Sequence, residues 1–431
     1  MRHEAGRSAD PAEGENAAML DLLKGIRVLE FGILLNGDHL GMLLSDLGAE
    51  VIKVEEPGTG DYLRDMLGVI TPGHSVAHIQ VNKNKKSVTI NVRTPEGRHA
   101  FFELLKTIDI FADGLRGGAC QQMGIGYEEQ RKVKPDIIYM ANTGFGMTGP
   151  YARVAAHGYS MLALAGGLPA KEDPETGFIE RTDSTDLWDG VKGGAGAPYA
   201  VMTALAALWR RTQTGKGAFI DVAATDANLA ASWLGVVSNL NYERITNLTG
   251  MAPRGSVYDG WPKGSTLYTL YEAKDGRYIM FGAIENKFWF NFCDAIERPD
   301  LKQHIRTDIP VDYGVGIPWM RQVLKDIFLE RTSEEWMTIA IERNVPMCVA
   351  NTLDQLPTDP HMAARGMFLP GEHPGAGEYL YLRHPAIVDG EQSGVASYAP
   401  RLGEHTDEVL SAIGLSAAEI AAAQERPAKK K

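Results

Sequence analysis

Apolar and mixed stretches alternate regularly along the first half of the chain. Short apolar runs predict buried strands at 25–32, 50–56, 86–92, 109–115, 136–144 and 218–223. The longer stretches between them have the spacing of helices, and the links are short. This order is typical of an α/β domain in which helices cover both faces of a mostly parallel sheet.

Three stretches carry more specific helix signals. Thr94-Pro95-Glu96 supplies a capping hydroxyl, a proline in the first turn and an acid at the positive end of a helix that continues over 98–108. Gly48 follows a helix predicted over roughly 38–47 and occupies its C-terminal cap. The run 197–209 is apolar all round, which predicts a helix buried on every side.

The texture of the sequence changes after about residue 235. Residues 252–265 are rich in glycine and proline and indicate a loop, and 266–283 predict a hairpin that turns at Asp275-Gly276. With 431 residues, two domains are expected. We divide the chain into four parts, which are a disordered tail over 1–20, a large domain over 21–235, a smaller α+β domain over 240–340, and a C-terminal segment over 341–425.

Composition excludes several classes of partner and site. The net charge of −12 gives no reason to expect nucleic acid or an anionic membrane as a partner. No apolar run reaches the ~18–20 residues that span a bilayer. The three cysteines form no CxxC pair, which favours a cytoplasmic location and argues against a disulfide framework or a metal site.

Of two common nucleotide-binding motifs, one is incomplete in this chain and the other is missing. GILLNGDH, 32–39, has two glycines five apart, but Asp38-His39 stand where a phosphate loop needs lysine and a hydroxyl. No GxGxxG follows the first strand. A different feature is DSTDLWDG, 183–190, in which aspartates precede a glycine run and the helix 197–209. Taken alone, Asp189 is interpreted as a helix cap, and a carboxylate held for chemistry is the alternative.

Several separate stretches, in order, resemble the family III CoA-transferases, whose superfamily also contains the 2-methylacyl-CoA racemases. The resemblance covers about residues 20–425. The stretches are LLKGIRVLEFG (22–32), DLGAEVIKVEEPGTGD (46–61), NKNKKSVTINVRTPEGR (82–98), IYMANTGFGMTGPYA (138–152), RRTQTGKGAFIDVA (210–223), NVPMCVANTLDQLPTDPHMAARGMF (344–368) and PRLGEHTDEVL (400–410).

The resemblance implies a Rossmann-like large domain and a small domain, with the C-terminal segment returning to the large domain. It implies an interlocked homodimer, or a heteromer with a paralogous subunit. Coenzyme A thioester enters as a substrate with a carboxylic acid acceptor, and no cofactor is permanently bound.

By the same resemblance, Asp189 is the nucleophile that forms an acyl anhydride and then an aspartyl-CoA thioester, with Asp186 as the second choice. Held and partly desolvated, a carboxylate becomes an effective nucleophile. The first rival is a 2-methylacyl-CoA racemase, which would pair His157 with Asp189 as two bases. The second rival is a degenerate, non-catalytic subunit of a heteromeric transferase.

The resemblance also supplies the CoA contacts. They are Leu34, Leu35, Asn36, Lys85, Leu115 and Met123. The chain departs from the family pattern at Glu56 and Gln122, where arginines are usual, at Gly114-Leu115, where Asn-Phe is usual, and at Asp38, where proline is usual. These departures remove cationic and polar contacts to CoA.

Overall fold

The computed structural model of the chain describes residues 19–168, 170–181, 194–246 and 264–426. The strands in these ranges are β1 (Arg27–Gly32), β2 (Glu50–Glu55), β3 (Val69–Thr71), β4 (His74–Ser75), β5 (Lys85–Thr89), β6 (Ile110–Gly114), β7 (Ile138–Thr143), β8 (Ala170–Glu172), β9 (Ile179–Arg181), β10 (Ala218–Ala223), β11 (Thr269–Glu272), β12 (Tyr278–Phe281), β13 (Met347–Ala350), β14 (Phe368–His373), β15 (Gly377–Leu382), β16 (Ile387–Val388) and β17 (Glu391–Gln392).

The α-helices in the same ranges are α1 (Leu34–Asp46), α2 (Val76–Asn82), α3 (Pro95–Leu105), α4 (Ala119–Gln122), α5 (Tyr127–Val133), α6 (Gly158–Leu164), α7 (Gly196–Thr214), α8 (Ala224–Ala231), α9 (Trp233–Leu240), α10 (Asn286–Ala295), α11 (Pro318–Phe328), α12 (Ser333–Arg343), α13 (Pro360–Ala364), α14 (Thr406–Ala412) and α15 (Ala417–Ala423). A short 3-10 helix, Tyr62–Asp65, follows β2.

The chain forms two compact units, of which the first contains the residues up to Ala231 and those from Arg365 onward, and the second contains Ser232–Ala364. In the first unit six strands form one sheet in the order β10-β7-β6-β1-β2-β5. Every pair in this sheet is parallel. The expected α/β architecture with a parallel sheet is therefore confirmed.

Neighbouring residues of β1 belong to different cores, as expected for a parallel sheet covered on both sides. Val28 packs with α1 and α7 on one face, and Leu29 packs with α3 and the C-terminal helices on the other. Phe101 of α3 is fully buried in the second of these cores. Burying a side chain of this size contributes about 1.5–3 kcal/mol relative to leaving it exposed.

Local signals set the helix boundaries as expected. The Thr94 hydroxyl accepts the backbone N–H of Gly97 at 3.0 Å and caps α3, with Pro95 in its first turn. Gly48, at φ +99°, follows the end of α1 in the left-handed region. The prediction for α7 was wrong in one respect, because Met202 and Trp209 are 59% and 69% exposed and only one face of this helix packs on the sheet.

The C-terminal residues bind the edge of the sheet at β5. The backbone N–H of His405 donates to the carbonyl of Ser87 at 2.9 Å, and the N–H of Asn91 donates to the carbonyl of Ala423 at 2.8 Å. The Thr406 hydroxyl accepts the N–H of Thr89 at 3.0 Å. These hydrogen bonds, with the packing of α15 on α3, complete the first unit.

The second unit contains the predicted hairpin. Strands β11 and β12 pair antiparallel around a turn that contains Gly276, at φ +77°. A third strand, β13, pairs with β12 and was not predicted. Three helices, α10 to α12, complete a core in which Trp289 and Trp336 are fully buried.

Three glycines bring β1, α1 and β6 into close contact in the first unit. A Cβ atom on Gly114 would lie 2.4 Å from the Cα of Gly37 and 3.1 Å from the Cα of Gly32. The contact is backbone against backbone, so no side chain can move aside. Gly114 stands where the resembled family has asparagine, and the closeness of α1 is the physical reason that a larger residue does not fit here.

We predict that Gly114→Ala lowers stability by about 1–3 kcal/mol or more, the usual cost of overpacking a tight contact. Gly167→Ala is the matched control, because the Cβ of residue 167 would meet Leu162 at an ordinary 3.5 Å. Urea unfolding of both variants measures the difference. Equal stability of the two variants would contradict the close contact.

Candidate functional site

A cavity opens at the carboxyl ends of β1, β2 and β6. Strand β1 lies between β2 and β6, so the chain order reverses at this point of the sheet. Open parallel sheets bind ligands at such switch points. This cavity, cavity 1, has a volume of about 610 Å³. Its lining residues include Glu55, Glu56, Asp61, Arg93, Arg98, Gln122 and Met123.

A second cavity, cavity 2, adjoins the first and has a volume of about 600 Å³. It is lined by the loop that joins β1 to α1, by the 3-10 helix region, and by the segment leading into α6. The two cavities share Ile33, Tyr62, Leu115, Arg116 and Ala119. Together they form an elongated site, and either volume is sufficient for part of a large ligand.

Cavity 1 contains three arginines among its described lining residues. Arg98 is half-buried and donates to the carbonyls of Val92 and Arg93 at 3.2 and 3.1 Å. Arg93 is exposed and pairs with Glu56 at 3.3 Å. Arg116 donates to Gln122 at 2.8 Å. Guanidinium groups at a strand end suit phosphate, so this cavity has the chemistry to hold a polyanion.

These arginines were not among the predicted site residues. Arg93 and Arg98 flank the capping Thr94-Pro95 pair, shortly after β5. Their position after a strand of a parallel sheet was the available signal, because the carboxyl ends of such strands carry the binding loops. Arg116 follows β6 in the same way.

A cluster of buried charges lies beside cavity 1. We call it the Lys53 cluster, and its members are Glu30, Asp38, Lys53, Asp61 and Lys85. All five side chains are almost fully buried. Burial alone would lower the pKa of Lys53, but the surrounding carboxylates raise it well above its usual value.

Lys85, the expected CoA contact, lies inside this cluster and lines neither cavity. Its ammonium donates to Glu30 at 2.7 Å and to the carbonyl of Asp38 at 2.7 Å, with no exposed side-chain surface. The other lysines of the NKNKKS segment are also paired, Lys83 with Asp46 at 2.6 Å and Lys86 with Glu408 at 2.8 Å. The side chain of Lys85 is thus directed into the first unit, and its role as a CoA contact stays a prediction.

Glu55 links the Lys53 cluster to the wall of cavity 1. Its carboxylate accepts two bonds from Arg64, at 2.9 and 2.7 Å, and one each from the hydroxyl of Ser87 and the N–H of Asp61. Burial would raise the pKa of this carboxyl, but the bonds and charge of Arg64, aided by Lys53, lower it to about 2. Glu55 therefore stays ionised over the whole ordinary pH range.

The first turn of α1 brings three predicted residues together on cavity 2, namely Leu34, Leu35 and Asn36. The Asn36 amide donates to the carbonyl of Asn142 at 3.1 Å, and the Asn142 amide donates back to the carbonyl of Asn36 at 3.0 Å. This reciprocal pair of hydrogen bonds joins the first turn of α1 to the end of β7. Leu34 is in the left-handed region, at φ +58°.

Some of the remaining predicted residues line the cavities, and the others lie outside the described residues. Leu115 lines both cavities and Met123 lines cavity 1, and both also pack against the core of the first unit. His157 is exposed at the start of α6 and lines cavity 2. Asp189 and Asp186 lie outside the described residues. Gly194, five positions after Asp189, lines cavity 2.

A parallel sheet with an arginine-bearing cavity at its switch point is typical of the broad class of proteins that bind nucleotide-containing ligands. The sequence profile described as CoA-transferase family III matches residues 23–406. The chain therefore belongs to CoA-transferase family III, and it is an enzyme of the CoA-transferase type.

Named relatives have similar length. The human succinyl-CoA:glutarate CoA-transferase is 30% identical over 403 residues, which cover 91% of this chain and 86% of that protein. The formyl-CoA:oxalate CoA-transferase of Rhodopseudomonas palustris (strain BisA53) is 28% identical over 418 residues, 94% of this chain and 96% of that protein. A crystallised hypothetical protein of Mycobacterium tuberculosis superposes with a TM-score of 0.71 at 26% identity, covering 92% of this chain and all of that one.

No helix among the described residues is both long enough and apolar enough to cross a membrane.

The folded-state pKa of Glu55 lies below its unfolded value of 4.5, so its ionised form stabilises the protein above about pH 4.5. We predict that Glu55→Gln costs on the order of 3–5 kcal/mol at pH 7, because it leaves Arg64 buried without its partner. The gap between wild type and variant should narrow as the pH falls from 4.5 towards 2. Urea unfolding at a series of pH values measures it, and a gap that widens in acid would contradict the assignment.

Proposed function

We propose that the enzyme moves CoA from an acyl-CoA donor to a carboxylic acid acceptor through covalent intermediates on Asp189. The observation that carries this proposal is the elongated pair of cavities, arginine-bearing at one end and reaching Gly194 at the other. Gly194 closely follows the aspartate in the sequence. A ligand with a charged nucleotide and a long arm would occupy such a site from end to end.

The proposed chemistry consists of four successive displacements at carbonyl carbons. The Asp189 carboxylate attacks the donor thioester, CoA thiolate leaves, and an acyl-aspartyl anhydride forms. The thiolate then attacks the aspartyl carbonyl, which releases the donor acid and gives an aspartyl-CoA thioester. The acceptor carboxylate displaces the thiolate to give a new anhydride. The thiolate attacks the acceptor carbonyl, so the acceptor leaves as its thioester and Asp189 is regenerated.

We place the nucleotide of CoA in cavity 1 and its thioester end in cavity 2. Arg93, Arg98 and Arg116 would neutralise phosphate charges in place of the cations missing at Glu56 and Gln122. Leu115 would pack against the arm where the cavities meet, and the backbone of 34–36 would line its path. The backbone N–H groups near Gly194 would stabilise the developing oxyanion.

The donor and acceptor acids are the finer question. The relatives' names specify succinyl-CoA or formyl-CoA as donors and glutarate or oxalate among the acceptors. We take these as the first compounds to test. Some relatives are named as alpha and beta subunits of one transferase, so both a homodimer and a heteromer with a paralogue remain proposals for this chain.

The proposed placement predicts a specific effect of the arginines. Arg93→Gln should weaken CoA binding by up to about fivefold, since an exposed ion pair contributes at most about 1 kcal/mol. If this side chain contacts the 3′-phosphate, binding of dephospho-CoA should be unchanged by the substitution. Arg131→Gln is the control, because Arg131 is a similarly exposed arginine that pairs with Glu128 at 2.5 Å and lines neither cavity. Calorimetric titration with CoA and with dephospho-CoA measures the two affinities. An equal loss of affinity for both ligands would show that Arg93 does not contact the 3′-phosphate.

The mechanism predicts a trappable intermediate. Incubation with succinyl-CoA or another acyl-CoA, followed by hydroxylamine, should leave a hydroxamate on Asp189, detected by peptide mass mapping. Asp189→Ala should abolish both the hydroxamate and transfer, whereas Asp186→Ala should retain them.

Other results of this trapping experiment have defined meanings. A hydroxamate on Asp186 would keep the mechanism and move the nucleophile. If no donor gives an adduct, transfer through aspartate is wrong. Exchange of solvent deuterium into the α-carbon of a 2-methylacyl-CoA would then support proton transfer at His157.

A further inference from the structure

Leu34 has an unusual backbone for its residue type. Its φ of +58° lies in the left-handed region, which glycine adopts freely and bulky residues adopt rarely. Such conformations persist only where the surroundings fix them, and they concentrate at functional sites. Leu34 is the first residue of α1 and lines cavity 2, so its conformation sets the course of the chain between the two cavities.

Asp61 fixes this conformation. Its carboxylate accepts the backbone N–H of Leu34, at 3.0 and 3.3 Å to the two oxygens, and the N–H of Leu63 at 2.9 Å. The Lys53 ammonium lies 3.1 Å away and also donates to the carbonyl of Gly32, the last residue of β1, at 3.0 Å. Gly32 and Leu34, on the two sides of Ile33, are thus hydrogen-bonded to one buried ion pair, that of Lys53 and Asp61.

Direct contact with an anionic ligand does not explain an aspartate in this wall. A free carboxylate would repel phosphate, and cavity 1 already contains Glu55 and Glu56. The charge of Asp61 is instead used internally, by two N–H groups and one ammonium. Its side chain is 99% buried, because only 1% of the residue's surface is accessible.

We infer that Asp61 is a positioning residue for CoA binding. It holds Leu34 in the left-handed conformation, and this keeps Ile33 on the wall of both cavities and the first turn of α1 on the wall of cavity 2. The inference rests on the proposed function only in taking a CoA thioester as the ligand of these cavities. It assigns Asp61 no contact with the reacting atoms.

The first test replaces Asp61 by asparagine. The amide retains one acceptor but turns an N–H₂ group towards Lys53 or a backbone N–H, so the fixed arrangement is lost. We expect the KM for acyl-CoA and the Kd for CoA to rise about tenfold, the factor that corresponds to ~1.4 kcal/mol, with kcat changed much less. Asp65→Asn is the matched control, since Asp65 lies in the 3-10 helix that Asp61 caps, accepts the N–H of Gly73 at 2.7 Å and lines neither cavity.

The second test removes the strain. Glycine adopts positive φ at no steric cost. In the Asp61→Asn background, Leu34→Gly should therefore restore most of the CoA affinity, whereas Leu34→Ala should not, because alanine shortens the side chain but keeps the conformational penalty. Thermal unfolding of every variant separates binding from stability.

The outcomes are distinct. Recovery with glycine alone supports the inference. An Asp61→Asn variant that loses thermal stability but binds CoA as wild type does would overturn it, as would equal recovery with alanine and glycine. If the wild-type protein itself binds no CoA in calorimetry, the proposed function fails and the inference fails with it, whereas wild-type CoA binding by Asp61→Asn overturns the inference alone.

Discussion

The Lys53 cluster is the interaction on which the candidate site depends. Lys53 extends from β2 and contacts Glu30 of β1, Asp38 of α1 and Asp61 after β2, so one ammonium connects four segments of the chain. Buried charges are costly unless each is paired and hydrogen-bonded. Three carboxylates face two lysines in this cluster, and the excess of negative charge affects the pKa of Asp61. Burial, together with Asp38, raises the pKa of Asp61 to about 6, against the opposing charge of Lys53.

The Lys53 cluster and the close contact of the three glycines both constrain the start of α1. Gly32, Gly37 and Gly114 let α1 approach the ends of β1 and β6, and the cluster holds the near end of α1 through Asp38. Asp38 stands where the resembled family has proline, and Gly114 where it has asparagine. Both departures lie in one local arrangement, in which a backbone contact of α1 with β1 and β6 accompanies a buried carboxylate on α1.

Periodicity and capping residues were sufficient to predict the six strands of the parallel sheet and the start of α3, because these signals are local. The Thr94 cap and the turn at Gly276 fall where expected. Three features depend on contacts distant in sequence and were not predictable in this way. Strand β13 is a short run that pairs only with β12, α7 packs on one face only, and Lys85 is directed towards Glu30, 55 residues earlier in the chain. The resemblance identified the family correctly but could not show that Lys85 is already paired with Glu30.

The cost of releasing each cation supports the proposal that arginines, and not Lys85, neutralise the phosphates of CoA. If Lys85 turned to a phosphate, Glu30 would lose a partner in the interior, and breaking a buried pair costs about 3–5 kcal/mol. Arg93 is paired with Glu56, but both side chains are about half exposed, and such pairs contribute only ~0.2–1 kcal/mol. Arg93 can therefore exchange Glu56 for a phosphate at little cost. Buried lysines hold the walls of this site in place, and exposed arginines remain available to the ligand.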